Sequence, residues 1–338
     1  MNKYSELNKI IDSAQNIVVL QADNPDGDSL GTSLALEAIL SEIGKSVHMI
    51  CSVDMPSYLR HLKGWDRVEK EIPQNIDATI IVDNSTESLF ENYEKDPNFS
   101  WIKSKPVVVI DHHIESGGIS YSALNIIEKA AATSEIIHNI AIELDWPLPL
   151  DACEPMVSSI MSDSLGLVAD SATPHTFRVV ADLVDRGVSL AKLDQQRKEL
   201  MQRHPILLPF KGDLLKRIEL DCEGQLASVV VKWQEIEKYS PLYNPTMLVI
   251  DDMRMTSGVK VTIGYKLYQD GKITAKIRCN YGSPIGSDLA AEFGGGGHPY
   301  AAGFKITDGS KLEEIQEQVK IKVGELLSEL ESEDNETS

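Results

Sequence analysis

The chain has 338 residues, of which 42% are hydrophobic and 25% are charged. This composition is typical of a globular protein large enough for two domains, each with its own core. The formal net charge of -20 is opposite to that of proteins that wrap long nucleic acids, so long duplex nucleic acid is excluded as a partner. Any polyanionic ligand is therefore expected to be small.

The N-terminus and the cysteines predict the cellular compartment. The first residues, MNKYSEL, lack the basic and then apolar regions of a secretory signal. No apolar run approaches the length needed to cross a membrane. The four cysteines lie far apart in sequence and form no Cys-x-x-Cys pair, which is typical of reduced thiols. We therefore predict a cytoplasmic protein with no membrane partner.

The first predicted βα unit contains a cluster of acidic residues. An apolar run at residues 17–20 leads into a turn with Asp23, Asp26 and Asp28, and an amphipathic helix follows. Open α/β sheets bind ligands at the carboxyl ends of their strands, where this turn lies. Two interpretations are open at this point: a cation site, or a solvated turn with Asp28 or Ser29 as N-cap.

Further strands are predicted in the first half, and two of them end at acidic residues. Asp83 ends one apolar run, and Asp111 ends the next and is followed by His112 and His113. A predicted helix leads to Asp163. These strands are predicted at residues 46–52, 77–83 and 106–111, and helices at residues 131–144 and 151–161. Alternating strands and helices predict an α/β fold with a doubly wound, mainly parallel sheet.

The second half has a different pattern. A polar helix rich in Lys, Gln and Arg begins it, and a four-glycine run followed by His298 lies near its end. We predict a smaller mixed α+β domain, separated from the first domain by a cleft. Strands are predicted at residues 226–233, 259–265 and 273–278, and helices at residues 284–293 and 310–330. The predicted organisation is a first domain at 1–190, a helical connector at 191–205, a second domain at 206–330 and a disordered acidic tail at 331–338.

The acidic residues of the first half are expected to meet. The carboxyl ends of parallel strands lie on one edge of a sheet, so residues distant in sequence become neighbours there. Carboxylate oxygens with some imidazole suit Mn²⁺ or Mg²⁺ rather than a thiolate-bound metal. Enough ligands are present for two ions that share a bridging carboxylate, an arrangement used for phosphoester hydrolysis.

Five features occur together in one order along the chain: NPDGDSLG at residues 24–31, Asp83, Asp111-His112-His113, Asp163, and GGGGHPYAAGF at residues 294–304. In this combination the chain resembles the DHH–DHHA1 phosphoesterases. Within that family it is similar to the oligoribonuclease and 3'-phosphoadenosine-5'-phosphate (pAp) phosphatase branch, over residues 17–323.

The resemblance implies a set of metal ligands. Asp26 and Asp83 would hold the first Mn²⁺, and Asp28, Asp83, His112 and Asp163 the second, with Asp83 bridging. Mg²⁺ is the alternative ion. Two divalent ions would activate a water molecule for attack on the phosphate.

The resemblance also implies residues that act on the substrate. His113 would stabilise developing charge or protonate the leaving oxygen, and Asp111 would orient a neighbouring imidazole. The substrate would be bound in the second domain by Arg278, Gly295, Gly296, Gly297 and His298. The glycines would turn their N–H groups toward an anion. A flexible linker for the glycine run and a surface position for Arg278 are the structural alternatives.

One residue departs from the family pattern. The family has a histidine ligand three residues before the proline of the acidic turn, where this chain has Ala22. Either Asp23 or a water replaces that ligand, or the first ion binds weakly, or the site holds one ion.

The predicted function is hydrolysis of short single-stranded RNA to 5'-mononucleotides, removal of a phosphate from pAp, or both. The alternatives are a nucleotide-binding protein without hydrolysis, because of Ala22, and a cyclic-dinucleotide phosphodiesterase. Homodimerisation is left open.

Overall fold

A computed structural model describes residues 2–114 and 118–336, and side chains as far as residue 332. The chain divides into two compact units, Met1–Gln202 and Arg203–Ser338. The polar helix at Leu190–Leu200, which was predicted as part of the connector, therefore belongs to the first unit. Within the described ranges, every helix is either too short or too polar to cross a membrane.

Five strands form the sheet of the first unit. They are β1 (Asn16–Leu20), β2 (Ser46–Ile50), β3 (Ala78–Val82), β4 (Val107–Asp111) and β5 (Leu124–Ile127). All pairs are parallel, in the order β2-β1-β3-β4-β5. The predicted doubly wound parallel sheet is confirmed. The sequence analysis missed β5, whose four residues are too few for a clear periodic pattern.

Helices cover both faces of this sheet. They are α1 (Lys3–Ser13), α2 (Gly27–Glu42), α3 (Glu91–Glu94), α4 (Phe99–Lys103), α5 (Thr133–Leu144), α6 (Leu150–Asp163), α7 (Pro174–Asp185) and α8 (Leu190–Leu200). Alternate residues of β1 enter two separate cores: Ile17 and Val19 pack with α1, α2, α5 and α6, whereas Val18 and Leu20 pack with the segment that carries α3 and α4. The three central strands, β1, β3 and β4, are thus buried on both sides, which explains their continuous apolar sequences.

Helices α2 and α6 approach each other closely because α2 has glycine at two positions one turn apart. A Cβ atom on Gly27 would lie 2.3 Å from Oγ of Ser162, and one on Gly31 would lie 2.7 Å from the carbonyl oxygen of Pro155. Side chains on the facing turns of these two helices can therefore meet, and Asp28 and Asp163 belong to those turns.

The second unit contains a six-stranded mixed sheet. Its strands are β6 (Glu219–Asp221), β7 (Leu226–Val231), β8 (Val261–Leu267), β9 (Ile273–Cys279), β10 (Gly296–His298) and β11 (Ala301–Ile306), in the order β10-β11-β9-β8-β7-β6. Strands β7 and β8 are parallel and the other pairs are antiparallel. Its helices are α9 (Leu207–Leu215), α10 (Trp233–Tyr239), α11 (Ile250–Arg254), α12 (Gly286–Glu292) and α13 (Leu312–Glu336). The predicted mixed α+β class is confirmed.

The two faces of this second sheet differ. One face packs against α12 and α13 in an apolar core, and the other face is covered at β7 by α9, α10 and α11. Helix α13 continues to Glu336, so residues 331–336 are helical where the sequence analysis predicted a disordered tail. Glutamate has high helix propensity, and its abundance there extends the helix. Residues 337 and 338 of that predicted tail lie outside the described residues.

Candidate active site

The acidic turn after β1 begins helix α2 and fixes its direction. Asp26 is the N-cap: its Oδ1 accepts hydrogen bonds from the backbone N–H groups of Asp28 and Ser29, both at 3.0 Å. Its own N–H donates to Oγ of Ser29 at 2.9 Å, which completes a capping box. The interpretation of Asp28 or Ser29 as N-cap was therefore wrong, because Asp26 occupies that position.

Asp28 is held by three helices. The residue is fully buried, and its Oδ1 accepts hydrogen bonds from Oγ1 of Thr32 at 2.9 Å and Oγ of Ser159 at 2.6 Å. Its Oδ2 accepts one from the backbone N–H of Thr133 at 2.6 Å. These donors come from α2, α6 and α5, so the carboxylate has a single fixed orientation. A buried carboxylate is stable only with such partners.

The sequence analysis missed these supporting donors. Thr133 is the first residue of α5, whose N-cap is Ala132. Thr133 donates its N–H to Asp28 and its hydroxyl to Oδ1 of Asp83, the latter at 3.2 Å. The spacing of Thr32 four residues after Asp28 is a signal that could have been read, because side chains at i and i+4 meet on a helix.

His112 lies at the centre of three carboxylates. Its Nε2 atom is 3.2 Å from Oδ2 of Asp163, 3.4 Å from Oδ1 of Asp83 and 3.7 Å from Oδ2 of Asp28. Its Nδ1–H donates to the carbonyl oxygen of Ala130 at 3.2 Å, which leaves Nε2 facing the acids. We call Asp28, Asp83, His112 and Asp163 the acidic cluster.

Charges in the acidic cluster perturb one another. Burial and the charge of Asp28 raise the pKa of Asp83 well above its usual value. Burial also raises the pKa of Asp163. Burial opposes protonation of His112, but the adjacent carboxylates of Asp163 and Asp83 outweigh it and raise its pKa to about 11. Without a cation, the cluster therefore concentrates negative charge that only one imidazole offsets.

The backbone at Asp83 is unusual for a residue with a side chain. Its φ is +57°, in the left-handed region that aspartate tolerates better than most residues. Its N–H still donates to the carbonyl oxygen of Ile110 at 3.0 Å, which ties the end of β3 to β4. Unfavourable backbone conformations of this kind concentrate at functional sites.

The donor chemistry of the acidic cluster fits a divalent cation. The ligand atoms of Asp28, His112 and Asp163 lie within 4.8 Å of one another, and so do those of Asp83, His112 and His113. Among the side chains that the structure describes, Nε2 of His112 is a buried atom without a hydrogen-bond partner. Carboxylate oxygens with one imidazole suit Mn²⁺ or Mg²⁺. Asp26 belongs to neither group of ligand atoms.

Asp111 holds His113 in place. The carboxylate is fully buried, and its Oδ1 accepts hydrogen bonds from the backbone N–H of His113 at 3.1 Å and from its Nδ1–H at 2.8 Å. Its Oδ2 accepts one from Oγ of Ser85 at 2.6 Å. The hydrogen bond to Asp111 raises the pKa of His113. The half-exposed His113 ring, 4.2 Å from the His112 ring between centroids, keeps Nε2 available for a substrate.

The position of the missing histidine is occupied by the buried methyl group of Ala22. The neighbouring Asp23 belongs to neither group of ligand atoms and contacts Ser52 and Asn92 instead. Oδ1 accepts a hydrogen bond from Oγ of Ser52 at 2.5 Å, and Oδ2 accepts one from the backbone N–H of Asn92 at 2.8 Å. Replacement of the histidine ligand by Asp23 or by a water stays a prediction.

In the second unit, the predicted substrate-binding residues lie on the edge strand β10, just before it, and on β9, the third strand from that edge. Arg278 on β9 pairs with Ala301 on β11, and His298 on the edge strand β10 pairs with the same Ala301. Arg278 and His298 are thus in one row across the sheet. Their roles in binding stay predictions.

The glycine run is not an open loop. Gly296 and Gly297 pair with β11, and a Cβ atom on Gly295 would lie 2.2 Å from the carbonyl oxygen of Gly303. A Cβ atom on Gly297, whose φ is +141°, would lie 2.6 Å from Cα of Ala302. Close packing of this hairpin therefore explains the glycines at 295 and 297, and the flexible-linker alternative was wrong. A role for their N–H groups in anion binding stays a prediction.

Comparisons with known proteins agree with this architecture. Residues 16–163 match the DHH family, N-terminal domain, and residues 245–325 match the DHHA1 domain. The bifunctional oligoribonuclease and PAP phosphatase NrnA of Thermus thermophilus is 26% identical over 315 residues, which cover 90% of this chain and 88% of that protein. A probable manganese-dependent inorganic pyrophosphatase of Lactobacillus acidophilus is 26% identical over 198 residues, which cover 53% of this chain and 61% of that protein.

A solved structure shares the fold. The crystal structure of an exopolyphosphatase-related protein from Bacteroides fragilis matches with a TM-score of 0.76 at 19% identity, over 96% of this chain and 97% of that chain. Both family domains occur in the expected order, and the DHH match spans the acidic turn, the strand-end aspartates, the Asp-His-His triplet and Asp163. The chain therefore belongs to the DHH–DHHA1 family of phosphoesterases.

Proposed function

We propose that this chain is a divalent-metal-dependent phosphoesterase that hydrolyses short oligoribonucleotides to 5'-mononucleotides and removes a phosphate from pAp. The observation that carries the proposal is the convergence of Asp28, Asp83 and Asp163 on the unpartnered Nε2 atom of His112. These four residues come from four segments distant in sequence: α2, the ends of β3 and β4, and the end of α6.

The acidic cluster would hold the metal. A bound Mn²⁺ or Mg²⁺ would lower the pKa of a water molecule and would place positive charge beside the phosphate. Mn²⁺ is the preferred ion in this proposal, supported by the imidazole in the donor set and by the manganese-dependent relative. The three hydrogen bonds fix the orientation of the Asp28 carboxylate and leave a lone pair on Oδ2 for the ion.

His113 would act on the substrate. The hydrogen bond to Asp111 fixes its ring and places the proton on Nδ1 in the neutral form. The hydrogen bond to Asp111 also raises the pKa of His113, and in the protonated ring the half-exposed Nε2–H can donate its proton to a leaving oxygen or stabilise charge on the phosphate. Asp111 is a positioning residue in this scheme.

We further propose one tightly bound ion and one weakly bound ion. The acidic cluster offers four ligands to the tightly bound ion. Asp26 and the bridging Asp83 remain for the weakly bound ion, because Ala22 has no ligand atom. A calorimetric titration of the metal-free protein with Mn²⁺ should show two binding steps of unequal affinity. Ala22→His should strengthen the weaker step, and an unchanged titration would contradict this assignment.

Two observations support the choice of substrate. The net charge of -20 disfavours long polyanions, and the relative from Thermus thermophilus is named as an oligoribonuclease and PAP phosphatase. Both substrate types carry a phosphate next to a nucleoside. The substrate class that we propose is therefore a phosphoester of a nucleoside, either in a short oligoribonucleotide or in pAp.

The test is direct incubation of the purified protein with di- to pentaribonucleotides, pAp and a cyclic dinucleotide, in Mn²⁺, Mg²⁺ or EDTA. We expect release of mononucleotide or phosphate with a divalent ion and none in EDTA. Asp83→Asn is the control for contaminating nucleases. Binding without turnover in any metal would establish the nucleotide-binding alternative, and turnover of the cyclic dinucleotide alone would establish the phosphodiesterase alternative.

A further inference from the structure

A buried glutamine directly follows strand β1. Gln21 is fully buried, and among the side chains that the structure describes its amide oxygen and amide nitrogen both lack a hydrogen-bond partner. Its backbone, in contrast, is bonded on both sides. The N–H donates to the carbonyl oxygen of Ile50 at 3.0 Å, and the carbonyl oxygen accepts from Oη of Tyr93 at 2.9 Å. Buried polar side chains are stable only when they are paired, so this amide is expected to bind a further group.

Gln21 lies on the face of the sheet that carries the acidic cluster. The hydrogen bond to Ile50 extends the pairing of β1 with β2 by one residue, so side chains continue to alternate and Gln21 shares the face of Val19. Val19 packs in the core formed with α2, α5 and α6. Because α2 and α6 supply Asp28 and Asp163, Gln21 and these carboxylates are on one side of the sheet.

Strand register brings Gln21 next to the end of β3, where Asp83 lies. Continued by one residue, the parallel register of β1 with β3 places Gln21 opposite Val82, the residue before Asp83. Neighbouring strands are about 4.8 Å apart. The Asp83 carboxylate is on the same face of the sheet as Gln21, because its Oδ1 accepts a hydrogen bond from Oγ1 of Thr133 in α5 at 3.2 Å. The amide and this carboxylate therefore come from adjacent strands and lie on one face.

An amide oxygen suits the ion that lacks a ligand. Of the positions considered for the weakly bound ion, Asp26 and Asp83 supply carboxylates, whereas Ala22 supplies no ligand atom. The carbonyl oxygen of a glutamine side chain is a ligand of the kind that Mg²⁺ and Mn²⁺ prefer. The amide is also neutral, so it adds a ligand without adding to the negative charge of the acidic cluster. Because neighbouring residues of a strand point to opposite faces, Gln21 would reach the ion from the side of α2.

We infer that the side-chain oxygen of Gln21 is a ligand of the weakly bound ion, together with Asp26 and Asp83, and replaces the histidine that is absent at Ala22. The support is the unpartnered buried amide, its place on the face of the acidic cluster, and its register beside the end of β3. The inference rests on the proposed function and sharpens it, because it assigns a third protein ligand to that ion. A water molecule bound to the amide without an ion is the alternative, and ion titration separates the two.

The experiment measures ion binding directly. The metal-free full chain is titrated with Mn²⁺ in a calorimeter, next to the variant Gln21→Met and the control Thr79→Val. Methionine is unbranched like glutamine, and its soft sulfur is a poor ligand for Mn²⁺. Thr79 on β3 also has a buried hydroxyl without a partner among the described side chains, but its register partner Val18 packs in the core on the opposite face. The control therefore removes an unpartnered polar atom from the same sheet, away from the acidic cluster.

We expect Gln21→Met to weaken the weaker Mn²⁺ step at least about tenfold and to leave the tighter step within about twofold. Thr79→Val should change neither step. The double variant Gln21→Met/Ala22→His regains a ligand and should bind the weaker ion more tightly than Gln21→Met does, which separates loss of a ligand from misfolding. An unchanged weaker step in Gln21→Met, an equal loss in the control, no gain in the double variant, or a single Mn²⁺ step in the original chain would each overturn the inference.

Failure of the proposed function gives a different result. A chain that binds two Mn²⁺ ions, the weaker of them through Gln21, but hydrolyses neither oligoribonucleotides nor pAp contradicts the proposed function alone. A chain that hydrolyses these substrates with Mn²⁺, and whose titration is the same with Gln21→Met, contradicts the inference alone.

Discussion

The two units of this protein hold their charges in opposite ways. In the first unit, Asp28 and Asp111 are fully buried, and each accepts three hydrogen bonds. In the second unit, Lys276 and Lys305 are exposed on an open sheet face and lack acidic partners among the described residues. Buried charge is expensive to desolvate, so it persists only where the geometry is fixed. An exposed charged group interacts more weakly with a ligand, because water screens it, and it can contact a ligand in many positions.

This difference suits two different tasks. An ion needs ligand atoms at defined distances, which a buried and hydrogen-bonded cluster provides. A flexible polyanion needs a surface that attracts phosphates without fixing their positions, which exposed lysines provide. Variants that damage one unit should therefore leave the function of the other intact, and the following predictions test that separation.

The largest effect is expected from Asp83→Asn. Asparagine also tolerates the left-handed backbone at this position, so the variant should fold. We expect activity to fall by more than the 10–100-fold that is usual for residues supporting a metal ligand, thus at least about a hundredfold. Oligonucleotide binding in EDTA should be unchanged. Full activity would contradict a ligand role for Asp83.

The same variant has a readout that does not depend on activity. Burial and the charge of Asp28 raise the pKa of Asp83, so the charged form is unfavourable in the metal-free protein. Replacing it with a neutral amide should raise the melting temperature in EDTA and remove the further increase that Mn²⁺ gives to the original chain. A variant that melts lower in EDTA would show that repulsion in the acidic cluster is not the dominant effect.

A smaller effect is expected from Asp111→Asn. The amide oxygen can still accept from both N–H groups of His113, but without the negative charge that strengthens those hydrogen bonds. We expect activity to fall by about 10–100-fold and the affinity for Mn²⁺ to change little. Kinetics and ion titration measure the two separately. An equal loss of both would mean that Asp111 supports the metal site rather than His113.

Gly27→Ala tests how the fold brings Asp28 and Asp163 together. The new methyl group would lie 2.3 Å from Oγ of Ser162, so α2 and α6 would have to separate. We expect a loss of about 1–3 kcal/mol in the free energy of unfolding, measured in denaturant with EDTA. Mn²⁺ affinity should also fall. Adding Ser162→Gly removes both contacting atoms and should recover affinity, and no recovery would contradict the close-approach argument.

The smallest effect is expected from salt. Doubling the ionic strength should weaken binding of a pentaribonucleotide by about fourfold, if Lys266, Lys276 and Lys305 each displace a counterion from the single strand. The stabilisation of the first unit by Mn²⁺ should change much less, because salt screens buried charges weakly. A parallel titration of both quantities against salt measures the contrast directly. Equal salt dependence would mean that the two units do not differ in the way described above.

The sequence by itself determined the layout of the first unit. The β-branched runs at β1, β3 and β4 predict strands locally, and each is followed by acidic or turn residues. Because parallel strands place their carboxyl ends on one edge, the meeting of Asp83 and His112 followed from those local patterns. The motif order also predicted both family domains, which the comparisons confirm.

Only the tertiary structure decided how individual side chains are used. Asp26 caps α2 outside both groups of ligand atoms, Asp23 accepts hydrogen bonds from Ser52 and Asn92, and the N–H of Thr133 donates to Asp28. Likewise, Lys266 and Lys305 lie in one row because of strand register. Such contacts join segments distant in sequence, so they depend on packing and register, which local propensity does not encode.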